Sequence, residues 1–199
     1  MRKYIYSSLL FILLCSCADY LEKTPDEDMT LQEVFESRNY AEKFLTSAYT
    51  HMSRECYQAD NAGFAGGASD ELEITWTYPY CNKLNEGSWN PSTTTFENWK
   101  IYWEGIRITN IFLENIDKTP MDQEAKDTWI GEAYFLRALY HFYLFRMYGP
   151  IPLADQSFDV NNASAIERKP VGDCVRFITE DCDRALNTPI PMQATSNQY

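Results

Sequence analysis

Residues 131–153 read GEAYFLRALYHFYLFRMYGPIPL, an apolar and aromatic run that ends in glycine and prolines. From Tyr134 onward apolar side chains fall on nearly every side of a helix, and such a helix must be covered on most of them. The Gly-Pro pair at 149–150 is typical of a helix end, since proline cannot continue the helix. The stretch therefore predicts a long central helix that begins near Asp122 and ends near Tyr148.

Amphipathic helices are predicted before the central one. Thr30 and Glu33 form a capping box at the start of a helix that ends near Phe35. Apolar residues at four-residue spacing predict a helix over 40–52, and a second apolar face predicts one over 96–117. A short turn separates this last helix from the central one, so the two are predicted to form a helical hairpin.

One more helix is predicted after the central one, over residues 171–186. Its apolar side chains fall on one face, which consists of Val175, Ile178, Cys182 and Leu186. Residues 58–95 are interrupted by Gly and Pro and residues 154–168 are polar, so both segments are predicted as loops. Because no strand pattern is found, the predicted fold class is all-α.

Composition excludes two classes of function. The chain has 199 residues, with 17 Lys and Arg against 29 Asp and Glu, and a net charge of −12. An acidic chain of this kind lacks the positive surface that nucleic-acid binding needs. The two histidines, His51 and His141, are too few for a multi-histidine metal centre.

The N-terminus resembles the leader of a bacterial lipoprotein. Two basic residues precede an apolar run, residues 8–14, that is too short to span a bilayer. The run ends in Leu-Cys-Ser-Cys at 14–17, which resembles a lipobox. We therefore expect residues 1–16 to be a signal peptide and Cys17 to carry acyl chains, each buried methylene contributing about 0.8 kcal/mol to membrane anchoring. An ordinary signal peptide with a coincidental cysteine is the alternative.

The remaining cysteines do not form a motif. Cys174 and Cys182 lie eight positions apart on a predicted helix, a separation of about 12 Å, which is too long for a disulfide. A disulfide between Cys56 and Cys81 is geometrically possible, and the alternative is that both are free thiols. No CxxC spacing is present, so neither a zinc nor a redox motif is indicated.

Four stretches of this sequence resemble the SusD/RagB family of outer-membrane, nutrient-binding lipoproteins. The most specific is the central stretch at 131–153. The others are CADYLEKTP at 17–25, TLQEVF at 30–35 and NIFLENID at 110–117. The resemblance covers nearly the whole chain.

The resemblance implies both an architecture and a role. The architecture is one of tetratricopeptide-type helical hairpins with long ligand-facing loops, and residues 17–199 would form the N-terminal part of a longer SusD-like helical domain. The role is that of a lipid-anchored outer-membrane protein, facing the cell exterior, that passes glycans to a SusC-like TonB-dependent transporter. Some members of the family take peptides instead. Neither an enzymatic activity nor a cofactor is implied.

Candidate ligand-binding residues lie in the predicted loop 58–95. Sugar rings stack their C–H faces on flat aromatic side chains, and carboxylates and amides bind the sugar hydroxyls. The segment around Asp70, Glu71 and Trp76 resembles in position a ligand-contacting region of the family. In an extended backbone the alternating residues Trp76, Tyr78 and Tyr80 would point the same way. The candidate residues are Asp70, Glu71, Trp76, Tyr78, Tyr80, Trp89 and Asn90. The alternative is that the aromatic residues pin the loop to the helices.

Two other groups of residues admit a chemical interpretation. Asp70, Glu71 and Glu73 include the two carboxylates that glycoside hydrolysis needs, although adjacent acids in a loop are usually solvated. Arg137 and His141 lie four positions apart on the central helix. A ligand contact is one interpretation of that pair; a buried hydrogen-bonded pair, or a contact to a loop carbonyl, is the simpler one.

Four hypotheses follow from the sequence. The first is a lipid-anchored glycan-binding subunit of a TonB-dependent uptake complex. The second is the same architecture binding peptides or another nutrient. The third is an anchored glycoside hydrolase, and the fourth is a helical-repeat adaptor that contacts only the transporter.

Overall fold

The computed structural model describes residues 29–52, 67–71, 80–90, 92, 98–158 and 167–189. The chain divides into two units, Met1–Val34 and Phe35–Tyr199. The regular elements of the described residues are α-helices and one turn of 3-10 helix, Ile116–Lys118. The helices are α1 (Leu31–Phe35), α2 (Arg38–Tyr49), α3 (Tyr80–Asn85), α4 (Trp99–Asn115), α5 (Gln123–Tyr148) and α6 (Val171–Leu186). The predicted all-α class is confirmed.

The capping box predicted from the sequence is present in the structure, and a second side-chain cap begins α5. Thr30 N donates to Glu33 Oε2 at 2.7 Å and Glu33 N donates to Thr30 Oγ1 at 3.3 Å, which completes the capping box of α1. The bond from the Thr30 main chain holds the pKa of Glu33 below its ordinary value. At α5, the side chain of Asp122 accepts a hydrogen bond from Ala125 N at 2.8 Å. Gly149 ends α5 with a φ of 68°.

Helix α5 is the centre of the larger unit. Helices α4 and α6 pack against it, and α2 packs against both α4 and α5. The predicted hairpin of α4 and α5 is confirmed, and so is the expectation that α5 is covered on most sides. A second hairpin, formed by α5 and α6, is joined by the connection over residues 149–170.

A close approach between α4 and α5 fixes their packing. A Cβ at Gly105 would lie 2.7 Å from Cε2 of Tyr140, so only glycine fits beneath this fully buried ring. The phenol of Tyr140 donates to the carbonyl of Ala48, and its ring lies 6.3 Å from that of Tyr102. One tyrosine of α5 therefore contacts both α2 and α4.

The sequence predicts the position of α6 but not the face that it buries. Of its predicted apolar face, Val175 is 45% and Leu186 80% exposed, whereas Ile178 and Cys182 are half-buried. The side chains that α6 buries are instead Cys174, Asp181 and Ala185. The reason is an ion pair with α5, described below, that draws a charged residue into the interior.

The described part of the predicted loop 58–95 contains a helix that the sequence analysis missed. Tyr80–Asn85 form α3, which is too short to leave a recognisable periodic signal. The expected extended backbone through Tyr80 is therefore wrong at that residue. Among the described helices, none has the length and apolar character needed to cross a membrane.

Candidate functional site

Two described segments of the candidate region are joined by a hydrogen bond. The side-chain amide of Asn85, at the end of α3, donates to the carbonyl of Gly67 at 2.7 Å. Gly67 begins the segment that carries Asp70 and Glu71, and that segment is tightened by a bond from Glu71 N to Ser69 Oγ at 3.2 Å. The bond between Asn85 and Gly67 therefore couples the candidate carboxylates to α3.

A hydrogen-bonded turn at the end of α3 precedes Trp89. Gly87 N donates to Leu84 O at 3.1 Å and Ser88 N donates to Lys83 O at 3.0 Å. Gly87 has a φ of 67°, so this is the Schellman arrangement in which glycine occupies the left-handed position after a helix. Trp89 follows the turn with its side chain 55% exposed, more than any other large aromatic side chain among the described residues.

The polar candidates on the two segments are also exposed. Asn90 accepts a hydrogen bond from Ser92 N at 2.9 Å through its side-chain oxygen, which fixes the orientation of the amide. Asp70 and Glu71 are exposed on the neighbouring segment. The structure thus describes an exposed indole, an oriented amide and two carboxylates on two coupled segments.

Several residues singled out by the sequence lie outside the described residues. They are Cys17, Cys56, Glu73, Trp76 and Tyr78. The side chains of Tyr80 and Cys81 are likewise not described, although both residues belong to α3. Cys174 and Cys182, which the sequence predicts to be too far apart for a disulfide, are both free thiols.

A second set of chemically capable side chains lies at the centre of the larger unit. Arg137 on α5 donates from Nε to Asp181 Oδ2 at 2.7 Å and from Nη2 to Asp181 Oδ1 at 2.8 Å. Its Nη1 donates to Asn110 Oδ1 at 2.8 Å and to Asp155 O at 3.0 Å. The guanidinium also lies 5.1 Å from the ring centroid of Tyr134. Asp181 and Arg137 are buried, so this is an ion pair between α5 and α6 shielded from solvent.

His141 lies next to Arg137 and is fully buried. Its Nδ1 is 2.8 Å from Arg137 O, and its Nε2 accepts from Ala154 N at 3.3 Å. These partners require a proton on Nδ1 and a lone pair on Nε2, which is the neutral ring. Burial lowers the pKa of His141 to about 4, which agrees with that protonation state.

The simpler interpretation of Arg137 and His141 is confirmed: both are buried, His141 bonds the carbonyl of Arg137, and the guanidinium of Arg137 bonds the loop carbonyl of Asp155. The two side chains thus hold carbonyl and amide groups of the segment after α5. Asn110 and Asp181, which complete this network, were missed by the sequence analysis. A buried arginine in an apolar helix was the available signal, since it requires acceptors from a neighbouring element.

Comparison with known proteins places these observations in a family. A family model described as "Starch-binding associating with outer membrane" matches residues 19–196. A SusD-like protein of Formosa agariphila is 25% identical over 77% of this chain and 31% of its own length. A SusD-like protein of Bacteroides ovatus is 23% identical over 94% of this chain and 36% of its own length.

Solved structures show the same fold. A SusD-like protein from Bacteroides fragilis superposes with a TM-score of 0.67 and 22% identity, covering 83% of this chain and 32% of that one. A laminarin-binding SusD-like protein gives a TM-score of 0.67 and 20% identity, over 76% of this chain and 34% of that one. This chain therefore spans about a third of the length of the relatives that it matches.

Proposed function

The chain belongs to the SusD-like family, and from this membership we propose that it captures glycans at the cell surface and delivers them to a SusC-like TonB-dependent transporter. The observation that carries the proposal is the exposed indole of Trp89, which follows a hydrogen-bonded turn and precedes the oriented amide of Asn90. An aromatic face, with an adjacent amide and with carboxylates on a bonded segment, matches the two surfaces of a sugar ring, the apolar C–H face and the hydroxyl edge. The proposed site consists of Asp70, Glu71, Trp89 and Asn90 with Trp76, Tyr78 and Tyr80.

The proposed role is binding without covalent chemistry. Glycoside hydrolysis needs two carboxyl groups that flank the scissile bond, about 5–10 Å apart, one of them protonated. Asp70 and Glu71 are consecutive and exposed, an arrangement typical of solvated acids that bind hydroxyl groups. We therefore assign both to ligand binding.

Membrane attachment is proposed to depend on Cys17. The net charge of −12 disfavours binding to anionic lipid, so an acyl anchor has to hold the protein at the outer membrane. Replacing the thiol by Cys17→Ser is expected to move the protein from the membrane to the soluble fraction without changing its melting temperature. Continued membrane association of this variant would contradict the proposed anchor.

The glycan site is tested with Trp89→Ala, using laminarin and soluble starch as probes in titration calorimetry. Loss of a stacked ring is expected to cost about 1–3 kcal/mol of binding free energy. Tyr40→Ala is the matched control, because Tyr40 is another exposed aromatic residue, 41% accessible, on a different element. Equal affinity of the wild type and both variants would refute the stacking role of Trp89.

Two further measurements separate the remaining hypotheses. Incubation of the protein with the same glycans, followed by product analysis, is expected to leave them intact; shortened chains would indicate a hydrolase. A peptide library is presented under the same conditions to the wild type and to Trp89→Ala. We expect the variant to retain peptides no less than the wild type does. Peptide retention that Trp89→Ala weakens would favour the second hypothesis over glycan capture.

A further inference from the structure

The connection between α5 and α6 is closed at its base. Lys169 N donates to Ile151 O at 2.9 Å, so the two ends of the connection meet. Beside them, the guanidinium of Arg168 donates to Tyr148 O and Pro150 O. Connecting segments that a scaffold holds in place frequently carry binding residues.

The first arm of this loop, residues 154–157, is held by side chains and has no regular secondary structure. Asn110 Nδ2 donates to Ala154 O at 3.2 Å and to Gln156 O at 2.9 Å. Glu114 accepts from the main-chain N and the hydroxyl of Ser157, both at 2.6 Å. With the bonds from Arg137 and His141 described above, main-chain groups of all four residues are bound to α4 or α5.

The holding side chains are themselves fixed. Asn110, Arg137 and His141 are buried, and Arg137 is locked by its two bonds to Asp181. A buried ion pair adds little net stability, because removal of two charges from water offsets their attraction. What such a network does supply is a defined geometry, here the path of the arm 154–157.

The arm presents two side chains to solvent. Asp155 and Gln156 are exposed, whereas Ala154 is buried and Ser157 is half-buried and bonded to Glu114. We propose that Asp155 and Gln156 form a second glycan contact, and that Asn110 is the positioning residue that holds them. This inference rests on the proposed glycan-binding function and extends it to a segment for which the sequence predicts only a loop.

The chemistry of the two side chains fits sugar hydroxyls. A carboxylate accepts two hydrogen bonds, and an amide accepts and donates, so the pair matches neighbouring hydroxyl groups on one ring. Because the main chain is already fixed, little conformational entropy is lost when a ligand binds. A neutral glycan also avoids the repulsion that an acidic ligand would meet on a chain with a net charge of −12.

The surface is tested with Asp155→Ala and Gln156→Ala, measured by titration with laminarin and soluble starch. Each variant is expected to weaken glycan binding by about fivefold, with an unchanged melting temperature, since each removes a hydrogen bond from an exposed side chain. The matched controls are Asp127→Ala and Gln123→Ala, a carboxylate and an amide near the start of α5. They change the charge and composition identically and are expected to bind as the wild type does.

The positioning role is tested with a mutant cycle between Asn110→Ala and the combined variant Asp155→Ala/Gln156→Ala. If Asn110 acts through the arm, Asn110→Ala weakens glycan binding by itself and adds nothing in the background that lacks both side chains. Hydrogen exchange of the amides at 154–157 should accelerate in Asn110→Ala at a temperature where the helices remain protected. Additive effects on affinity, or no effect of Asn110→Ala on binding, would overturn the positioning role.

The outcomes distinguish this inference from the proposed function. If Trp89→Ala weakens binding while Asp155→Ala and Gln156→Ala bind as the wild type does, the second contact is wrong and glycan capture stands. If the wild-type protein retains neither glycan, both proposals fail. If the variants at 155 and 156 lose binding and Trp89→Ala does not, the arm 154–157 is the principal site.

Discussion

Removal of one charge from the buried ion pair should destabilise the protein strongly. Asp181→Asn keeps the shape of the side chain but leaves the guanidinium of Arg137 buried without a counter-charge. Breaking such a pair from one side costs about 3–5 kcal/mol. Arg184, which also bonds Asp181 at 2.6 Å, is half exposed and can turn to water, so its share of the loss is small. We expect a decrease of about 3 kcal/mol in the free energy of unfolding.

Urea denaturation followed by circular dichroism measures this decrease. With a slope of about 2 kcal/mol per molar urea, the midpoint should move down by about 1.5 M. Asp183→Asn is the matched control, because it makes the same change of charge at an exposed position of α6 and should cost less than ~0.5 kcal/mol. A variant Asp181→Asn that is as stable as Asp183→Asn would refute the reasoning.

Three further substitutions or conditions test the packing and the protonation states. Gly105→Ala should lower the free energy of unfolding by about 1–3 kcal/mol, because the new methyl group would clash with the buried ring of Tyr140. Gly172 is a helical glycine with open space around it, so Gly172→Ala should instead stabilise the protein by up to ~1 kcal/mol. Thermal melts of the two variants compare these effects. The free energy of unfolding should fall by about 3 kcal/mol as the pH drops from about 6.5 toward 4, because His141 becomes protonated in the unfolded chain but stays neutral when buried. Urea titrations of the wild type and of His141→Gln over this pH range separate this loss from the titration of carboxylates. Parallel pH profiles of the two proteins would contradict the assignment. Asp122→Ala removes the cap of α5 and should lower the free energy of unfolding by about 1 kcal/mol in the same melts. An unchanged melting temperature would contradict a stabilising role of the cap.

Local signals in the sequence were sufficient for most of the helices. The capping box at Thr30 and Glu33, and the Gly-Pro pair after Tyr148, each report a hydrogen-bonding or steric condition that only neighbouring residues set. For that reason α1 begins, and α5 ends, where the sequence predicts. Helix α3 was missed because six residues provide less than two turns, too few for periodicity to emerge.

The candidate site was only partly accessible to the same reasoning. An aromatic residue next to an amide, as at Trp89 and Asn90, indicates a ligand surface, and the structure shows both side chains exposed. The coupling of that turn to the carboxylate segment depends on the bond between Asn85 and Gly67, which lie 18 positions apart. Contacts of this range depend on tertiary packing, so the pattern of residues does not reveal them.

The buried face of α6 shows why hydropathy alone misassigned a helix. Hydropathy treats each residue separately, and Asp181 by itself belongs on the outside of an amphipathic helix. Arg137 by itself is equally out of place on an apolar helix. When the two residues are buried together, their attraction offsets part of the free energy lost by removing each charge from water, so each requires the other as a partner. A charge on a helix that is otherwise apolar on all sides is therefore best treated as half of a pair, and the search for its partner should include the face that hydropathy assigns to solvent. Applied to Arg137, this rule restricts the acceptors to acids on the helices that flank α5, and on α6 Asp181 is the buried one.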